Sequence, residues 1–163
     1  MRKTKEYSDQ ELSRIISEYT HSLVRLAFTY TKSVPDAEDI VQEVMVRLIT
    51  KKPYFENKTH EKAWMVRVTI NTSINYVKAV KRHKNEPLDY DIPEIPKEEY
   101  YLVELIDQLS EKYRTVLYLY YFEGYAIKEI AQIMKKSEST ITTWMARGRK
   151  KLKGLLLERE GEL

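Results

Sequence analysis

The residues best suited to chemistry lie on one stretch near the C-terminal end. Ser139, Thr142, Thr143, Ala146, Arg147 and Lys150 recur at steps of three and four. On a helix that spacing gathers them on one side. Threonine can hydrogen-bond a base edge or touch a thymine methyl, and Arg147 can grip a guanine or a phosphate. Lys135, Lys136, Arg149, Lys151 and Lys153 supply cations for phosphate contacts that carry no sequence preference. Ile141, Met145, Gly148 and Leu152 step by four, three and four, so they face inward on the opposite side. The chemistry open to such a surface is reversible binding of nucleic acid.

The elements around that stretch must hold it out from a core. Ile127, Ile130, Ala131 and Met134 mark a short helix after Glu123-Gly124. Lys135-Lys136 turns the chain, and Ser137 caps the next helix, which runs to about Leu157. Together they spell a helix-turn-helix, whose second helix enters the major groove. That geometry needs a small residue where the second helix crosses the first, and Ala131 fills the place. The plain alternative is an ordinary helical hairpin with a basic surface. Upstream, Leu102, Leu105, Ile106 and Leu109 form one apolar stripe. Ser110 is positioned to cap a helix carrying Tyr113, Val116, Leu117 and Tyr120, on which Tyr118 and Tyr121 also read as packing residues.

Two further clusters lie in the first half. In Asp36-Ala37-Glu38-Asp39-Ile40-Val41-Gln42-Glu43, acids at a helix start suit the macrodipole, which accounts for Asp36. Asp39 and Glu43 are like charges four apart and mildly destabilise a helix. A partner rich in Lys and Arg would account for them, and a solvated acidic face is the alternative. The other cluster is Trp64, Arg67, Asn71, Thr72, Asn75, Tyr76, Lys78, Lys81 and Arg82 on one long helix. Amides, aromatics and cations so arranged suit a DNA strand with splayed bases. Spacing alone favours a simpler view, with Trp64 in the core and Lys78 to Lys84 a basic helix end.

The positioning helices are legible from their periodicity. Ser8 opens a capping box with Glu11, and the helix it starts carries Leu12, Ile15, Ile16, Tyr19, Leu23, Leu26 and Tyr30. Ser33-Val34-Pro35-Asp36 starts a second helix, with stripe Ile40, Val41, Val44 and Leu48. After a loop at Pro53 and Asn57, Thr59 is expected to cap a third helix with stripe Ala63, Val66, Ile70, Ile74 and Val77. Residues 86–99 carry three prolines and a net charge of −5, from one Lys and six acids. They read as an extended acidic linker. Residues 1–85 carry 16 cations and 10 acids, and residues 100–163 carry 11 and nine, so both flanks are basic. The fold class is all-α, with two small helical domains joined by a Pro-rich acidic linker.

The remaining composition mainly excludes. With 42% apolar residues the chain can build cores, and with no cysteine it has no disulfide or thiolate metal site, which suits a reducing cytoplasm. No apolar run reaches the length of a membrane span. His21, His60 and His83 fall on different expected elements, and no phosphate loop, nucleophile elbow or metal spacing appears, so an enzyme is not expected, nor a metal or cofactor.

In order and spacing, these blocks resemble the sigma-70 family, specifically its extracytoplasmic-function group, over nearly the whole chain. The resemblance implies region 2 over 1–84, a linker over 85–99 and region 4 over 100–163. It implies that Asp36, Glu38, Asp39, Gln42 and Glu43 dock on core RNA polymerase. It places Trp64, Arg67, Asn71, Thr72, Asn75, Lys78, Lys81 and Arg82 against the minus-ten element, with Asn71 reading an unpaired base and the loop Tyr54 to His60 helping to hold it. Ser139, Thr142, Thr143, Ala146, Arg147 and Lys150 would meet the minus-thirty-five element of promoter DNA. The linker would thread towards the active-site and RNA-exit path. An anti-sigma factor would be the regulator, and the free protein a monomer with no membrane insertion. Three positions depart from relatives: Ala126 where a capping Ser or Thr is common, Thr142 where many carry Arg, and Ile70 where a basic or small residue is common. A polymerase-independent helix-turn-helix regulator is the alternative, and it would usually need a dimer.

Overall fold

A computed structural model describes residues 2–81 and 104–161. The chain divides into two compact units, Met1–Pro93 and Glu94–Leu163. The expected linker, 85–99, lies outside the described residues. Among those residues the fold is all-α, with one isolated antiparallel bridge, Thr4 to Pro53, in place of any strand.

Unit one has three helices, each packed on the other two: α1 (Asp9–Thr31), α2 (Val34–Lys51) and α3 (Lys58–Lys81). Ser8 Oγ accepts from the Glu11 amide at 3.1 Å while Glu11 accepts from the Ser8 amide at 3.2 Å, closing the expected box. Ser33 caps α2 by accepting from Asp36 N, and Pro35 sits in the first turn, where a missing amide costs nothing. The third cap differs from expectation. Asn57, not Thr59, accepts from a first-turn amide, that of His60, at 2.8 Å. Both residue types cap well, and spacing alone does not separate them.

The core joins Ile15, Tyr19, Leu23 and Leu26 of α1, Ile40, Val41, Val44 and Leu48 of α2, and Met65, Val66 and Ile70 of α3. Burying each aliphatic side chain contributes about 1.5–3 kcal/mol. Two stripes shift from those expected. Ile16 is 40% exposed. On α3, Ala63, Ile74 and Val77 are only half-buried, while Thr69, Thr72 and Ser73 turn inward. Thr69 and Ser73 satisfy their hydroxyls on carbonyls four residues back, at 2.8 and 2.7 Å. A helix can bury such residues because its own backbone accepts from them.

One charged group lies deep in this unit. Glu61, in the first turn of α3, is 7% exposed. Arg14 of α1 donates to its two oxygens at 3.1 and 2.9 Å, and the Tyr19 hydroxyl donates at 2.9 Å. Burial and this carboxylate push the Tyr19 hydroxyl pKa well up and keep it a donor. Beside it, Glu18 takes bonds from Lys58 at 3.0 Å and Arg14 at 2.8 Å.

In unit two the described residues open with helical 104–106, followed by α4 (Glu111–Tyr121), α5 (Ile127–Met134) and α6 (Glu138–Gly161). Leu105, Ile106, Leu109, Val116, Leu117, Ile130, Ile133, Ile141 and Met145 fill its core. Ser110 stands at the N-cap of α4 but makes no side-chain cap bond. At Ala126 the Glu129 carboxylate accepts from the cap amide at 3.1 Å, so half a capping box survives without a cap side chain.

The Lys58 bond, then the Arg14 bond, holds the Glu18 carboxyl below its ordinary pKa. The folded state therefore favours charged Glu18. That contribution is complete above the ordinary carboxylate range and is lost as pH falls through the lowered value. Thermal melts from pH 7 to pH 3 should show unit one weakening in acid, and Glu18→Gln should flatten part of that slope. An unchanged slope would remove Glu18 from the linkage.

Candidate nucleic-acid interface

The helix-turn-helix closes on Lys135, which ends α5 in the left-handed region at φ 54°. Ser137 then accepts from the Thr140 amide at 3.2 Å and starts α6. Ile141, Met145, Gly148 and Leu152 are the buried residues of α6, matching the inward set expected. A Cβ on Gly148 would sit 3.1 Å from Leu117 Cδ1 and 3.3 Å from Tyr113 Cβ. Glycine thus lets α6 lie close on α4, despite costing a helix interior about 1 kcal/mol against alanine.

Ser139, Thr142, Thr143, Ala146, Arg147 and Lys150 are all exposed. The Thr142 and Thr143 hydroxyls donate to the carbonyls of Glu138 and Ser139, each at 2.9 Å. With those protons engaged, each threonine offers outward a methyl and oxygen lone pairs. Such a surface suits thymine methyls and base amino groups better than base acceptors.

Two cations expected at phosphates have work inside the unit. Arg149 lies 5.5 and 5.8 Å from the Tyr120 and Tyr121 ring centres, and its Nε donates to the Tyr121 hydroxyl at 2.9 Å. Lys151 stands 4.8 Å over Tyr113, whose ring also meets Lys112 at 5.1 Å. Such contacts are worth about 0.5–1 kcal/mol each at exposed sites, and those of Arg149 and Lys151 fasten α6 to α4. Tyr118, 2% exposed, packs in the core, while Tyr120 and Tyr121, at 36% and 47%, pack at the boundary under Arg149.

On α3 of unit one, Asn71, Asn75 and Lys78 are exposed, and Arg67 is half-buried. Trp64 is half-buried with its ring 5.7 Å from Phe55, in the α2–α3 loop. Thr72 departs from the expected DNA face. It is 5% exposed, and its hydroxyl is buried without a hydrogen-bond partner. Its neighbours Thr69 and Ser73 share that inward side, which hydrophobic periodicity does not mark. The Lys81 side chain and Arg82 lie outside the described residues.

On α2, Glu38, Asp39, Gln42 and Glu43 are exposed along one side. Glu43 pairs with Arg47 at 2.7 Å, so helical pairing already offsets part of the like-charge repulsion. Asp36 is half-buried at the start of α2, and Tyr76 of α3 is half-buried too. Burial first, then the nearby Asp36 carboxylate, pushes the Tyr76 hydroxyl pKa up to about 12. Beside the acidic side runs a groove of about 840 Å³ between α1 and α2, where Ile16, Val41, Met45 and Val46 mix with Glu38 and Gln42.

Among the described residues, no group of three or more His, Asp or Glu could hold a metal ion, and no helix is long and apolar enough to cross a membrane.

A helix-turn-helix with an exposed polar and cationic face, paired in one chain with a second helical unit, defines a DNA-binding regulator. Family models give the particular kind: residues 15–83 match sigma-70 region 2, and residues 100–152 match sigma-70 region 4. RNA polymerase sigma factor SigV of Bacillus subtilis is 30% identical over 155 residues, covering 91% of this chain and 92% of its own. ECF RNA polymerase sigma factor SigX of the same organism is 24% identical over 161 residues, covering 89% and 83%. In fold, the chain is similar to sigma factor RpoE in complex with anti-sigma factor NepR from Bartonella quintana. That match has a TM-score of 0.71 at 19% identity and covers 90% of this chain and 97% of the other. It is also similar to CnrH in complex with the cytosolic domain of CnrY, with a TM-score of 0.71 at 18% identity, covering 91% and 89%. The chain belongs to the sigma-70 family of RNA polymerase sigma factors, in its extracytoplasmic-function group.

Burial of Thr72 yields a direct check. Thr72→Val removes a buried hydroxyl that lacks a partner, so the urea midpoint should hold or rise. Promoter opening should be unchanged. Loss of opening at preserved stability would return Thr72 to the DNA face.

Proposed function

We propose that this sigma factor joins core RNA polymerase to promoter DNA through two units, each with its own nucleic-acid contact. In this reading residues 1–84 act as region 2, residues 100–163 as region 4, and residues 85–99 as the connector between them. The observation that carries it is that the two matched regions fall one on each unit.

Glu38, Asp39, Gln42 and Glu43 form the polymerase-docking side of α2, and the adjoining groove takes apolar side chains of the same partner. Asp36, half-buried in the first turn of α2, belongs to the same docking set. Asn71 reads an opened base of the minus-ten element, flanked by Trp64, Arg67, Asn75 and Lys78, with Lys81 and Arg82 towards the phosphates. Thr142, Thr143, Ala146 and Arg147 meet bases of the minus-thirty-five element, and Ser139 and Lys150 meet its backbone. Extruding a base costs a few kcal/mol, least at flexible steps. A pocket for one base therefore both selects and melts. The second contact becomes effectively intramolecular once the first is made, which lets two weak modules hold tightly.

The protein's part is binding and positioning; its own side chains make or break no covalent bond. It works in the cytoplasm as a monomer, and a dedicated anti-sigma factor holds it back. The structural relative RpoE, solved in complex with the anti-sigma factor NepR, supports that regulation.

Two substitutions test the assignments. Asn71→Ala should leave affinity for core polymerase intact and impair open-complex formation; normal transcription would remove Asn71 from base reading. Arg147→Ala should weaken upstream-element binding by about 1–3 kcal/mol if it grips a base with two bonds. An unaltered upstream footprint would show that it does not.

A further inference from the structure

We propose that residues 3–7 form a positioning strap for base capture, with Tyr7 holding the α2–α3 loop in the shape that receives the opened base. This rests on the reading above, in which the loop from Tyr54 to His60 helps hold that base.

The strap lies before α1 and outside any helix, yet it is tied to the loop along its length. The Lys5 amide donates to the Lys52 carbonyl at 2.9 Å, and the Tyr54 amide donates to the Lys3 carbonyl at 3.3 Å. Thr4 bridges Pro53 between them. The Tyr7 hydroxyl donates to the Pro53 carbonyl. Lys52 Nζ meets Glu6 at 2.7 Å, and the Lys3 ammonium stands 5.8 Å from the Tyr54 ring centre. The strap is itself fixed to α1, where Lys5 meets Glu11 at 3.1 Å. Burial raises the Tyr7 pKa, so its hydroxyl remains a donor at neutral pH.

The strap meets the loop at its entry. The loop leaves α2 through Lys52, a left-handed C-cap at φ 47° that turns the chain sharply out of the helix. A cavity of about 150 Å³ between loop and α1 is lined by Tyr7, Arg14, Phe55, Asn57 and Glu61. The far end of the loop is fixed differently. His60 Nδ1 accepts from the Glu56 amide at 3.2 Å, and the Phe55 ring meets His60 edge-on at 5.4 Å. The strap thus sets the entry of the loop and α3 sets its exit, with Phe55 between them leaning on Trp64. Tyr7 touches no DNA in this account. It acts through the loop.

The test separates opening from docking. The whole protein, assembled with core polymerase, is mixed with promoter DNA carrying a fluorescent aminopurine at the captured position, and the opening rate is recorded with the affinity for core polymerase. Tyr7→Phe keeps the ring and removes one hydrogen bond. It should slow opening about three- to ten-fold, the factor one such bond supports, with core affinity unchanged. Lys5→Pro deletes the amide that reaches Lys52 and should give the same split. Normal opening in both variants, or a parallel loss of core affinity, overturns the strap. Asn71→Ala runs beside them. If it too opens normally, the base-capture reading has failed; if it alone is impaired, the reading stands and the strap does not.

Discussion

A carboxylate removed from water must find its donors within the protein. Glu61 finds three hydrogen bonds, from Arg14 and Tyr19, all from α1. The start of α3 is thereby locked to α1 by charged, directional bonds rather than by apolar contact, which tolerates sliding. A helix is stiff, so the lock propagates: Asn71 lies ten residues on, about 15 Å along the same rod. Arg14 keeps part of its side chain in water, at 42% exposure, so the bond is weaker than a fully buried pair. Its value lies in direction. It fixes the rotation of α3, and with it which residues of the helix stand outside.

Unit two solves the same problem by other means. The side of α6 that faces outward is set by Gly148 lying close on α4 and by cations resting on the α4 aromatic rings. Both devices use the bare backbone or the flat face of a ring, where a larger or unpaired side chain would hold the helices apart. In each unit the surface offered to a partner is the consequence of one helix held at a fixed roll.

Much of this was legible in the sequence because hydrophobic period reports helix rotation directly. The inward set of α6 and the stripe of α2 were read correctly from spacing. The pattern fails where small polar residues turn inward. Thr69, Thr72 and Ser73 look like surface residues, and only the self-satisfied hydroxyls of Thr69 and Ser73 explain their burial. It fails also for partners distant in the chain. Glu61 and Arg14 are 47 positions apart and the strap–loop pairs between 46 and 51, and neither charge type nor local spacing announces such meetings. Arg149 is a third case, since a cation in a basic run gives no sign that it will lie on tyrosine rings.

The account as a whole depends on two contacts made at once on one DNA molecule. The duplex turns once in about 10 base pairs, so a shift of about 5 between the two elements carries one to the opposite face. Start-site-specific transcription by core polymerase and this protein, measured as the spacing between its two promoter elements is lengthened by half a turn, tests that most directly. A two-point grip predicts collapse of the transcript, with each element still bound when presented alone. Transcription indifferent to the half-turn would contradict it.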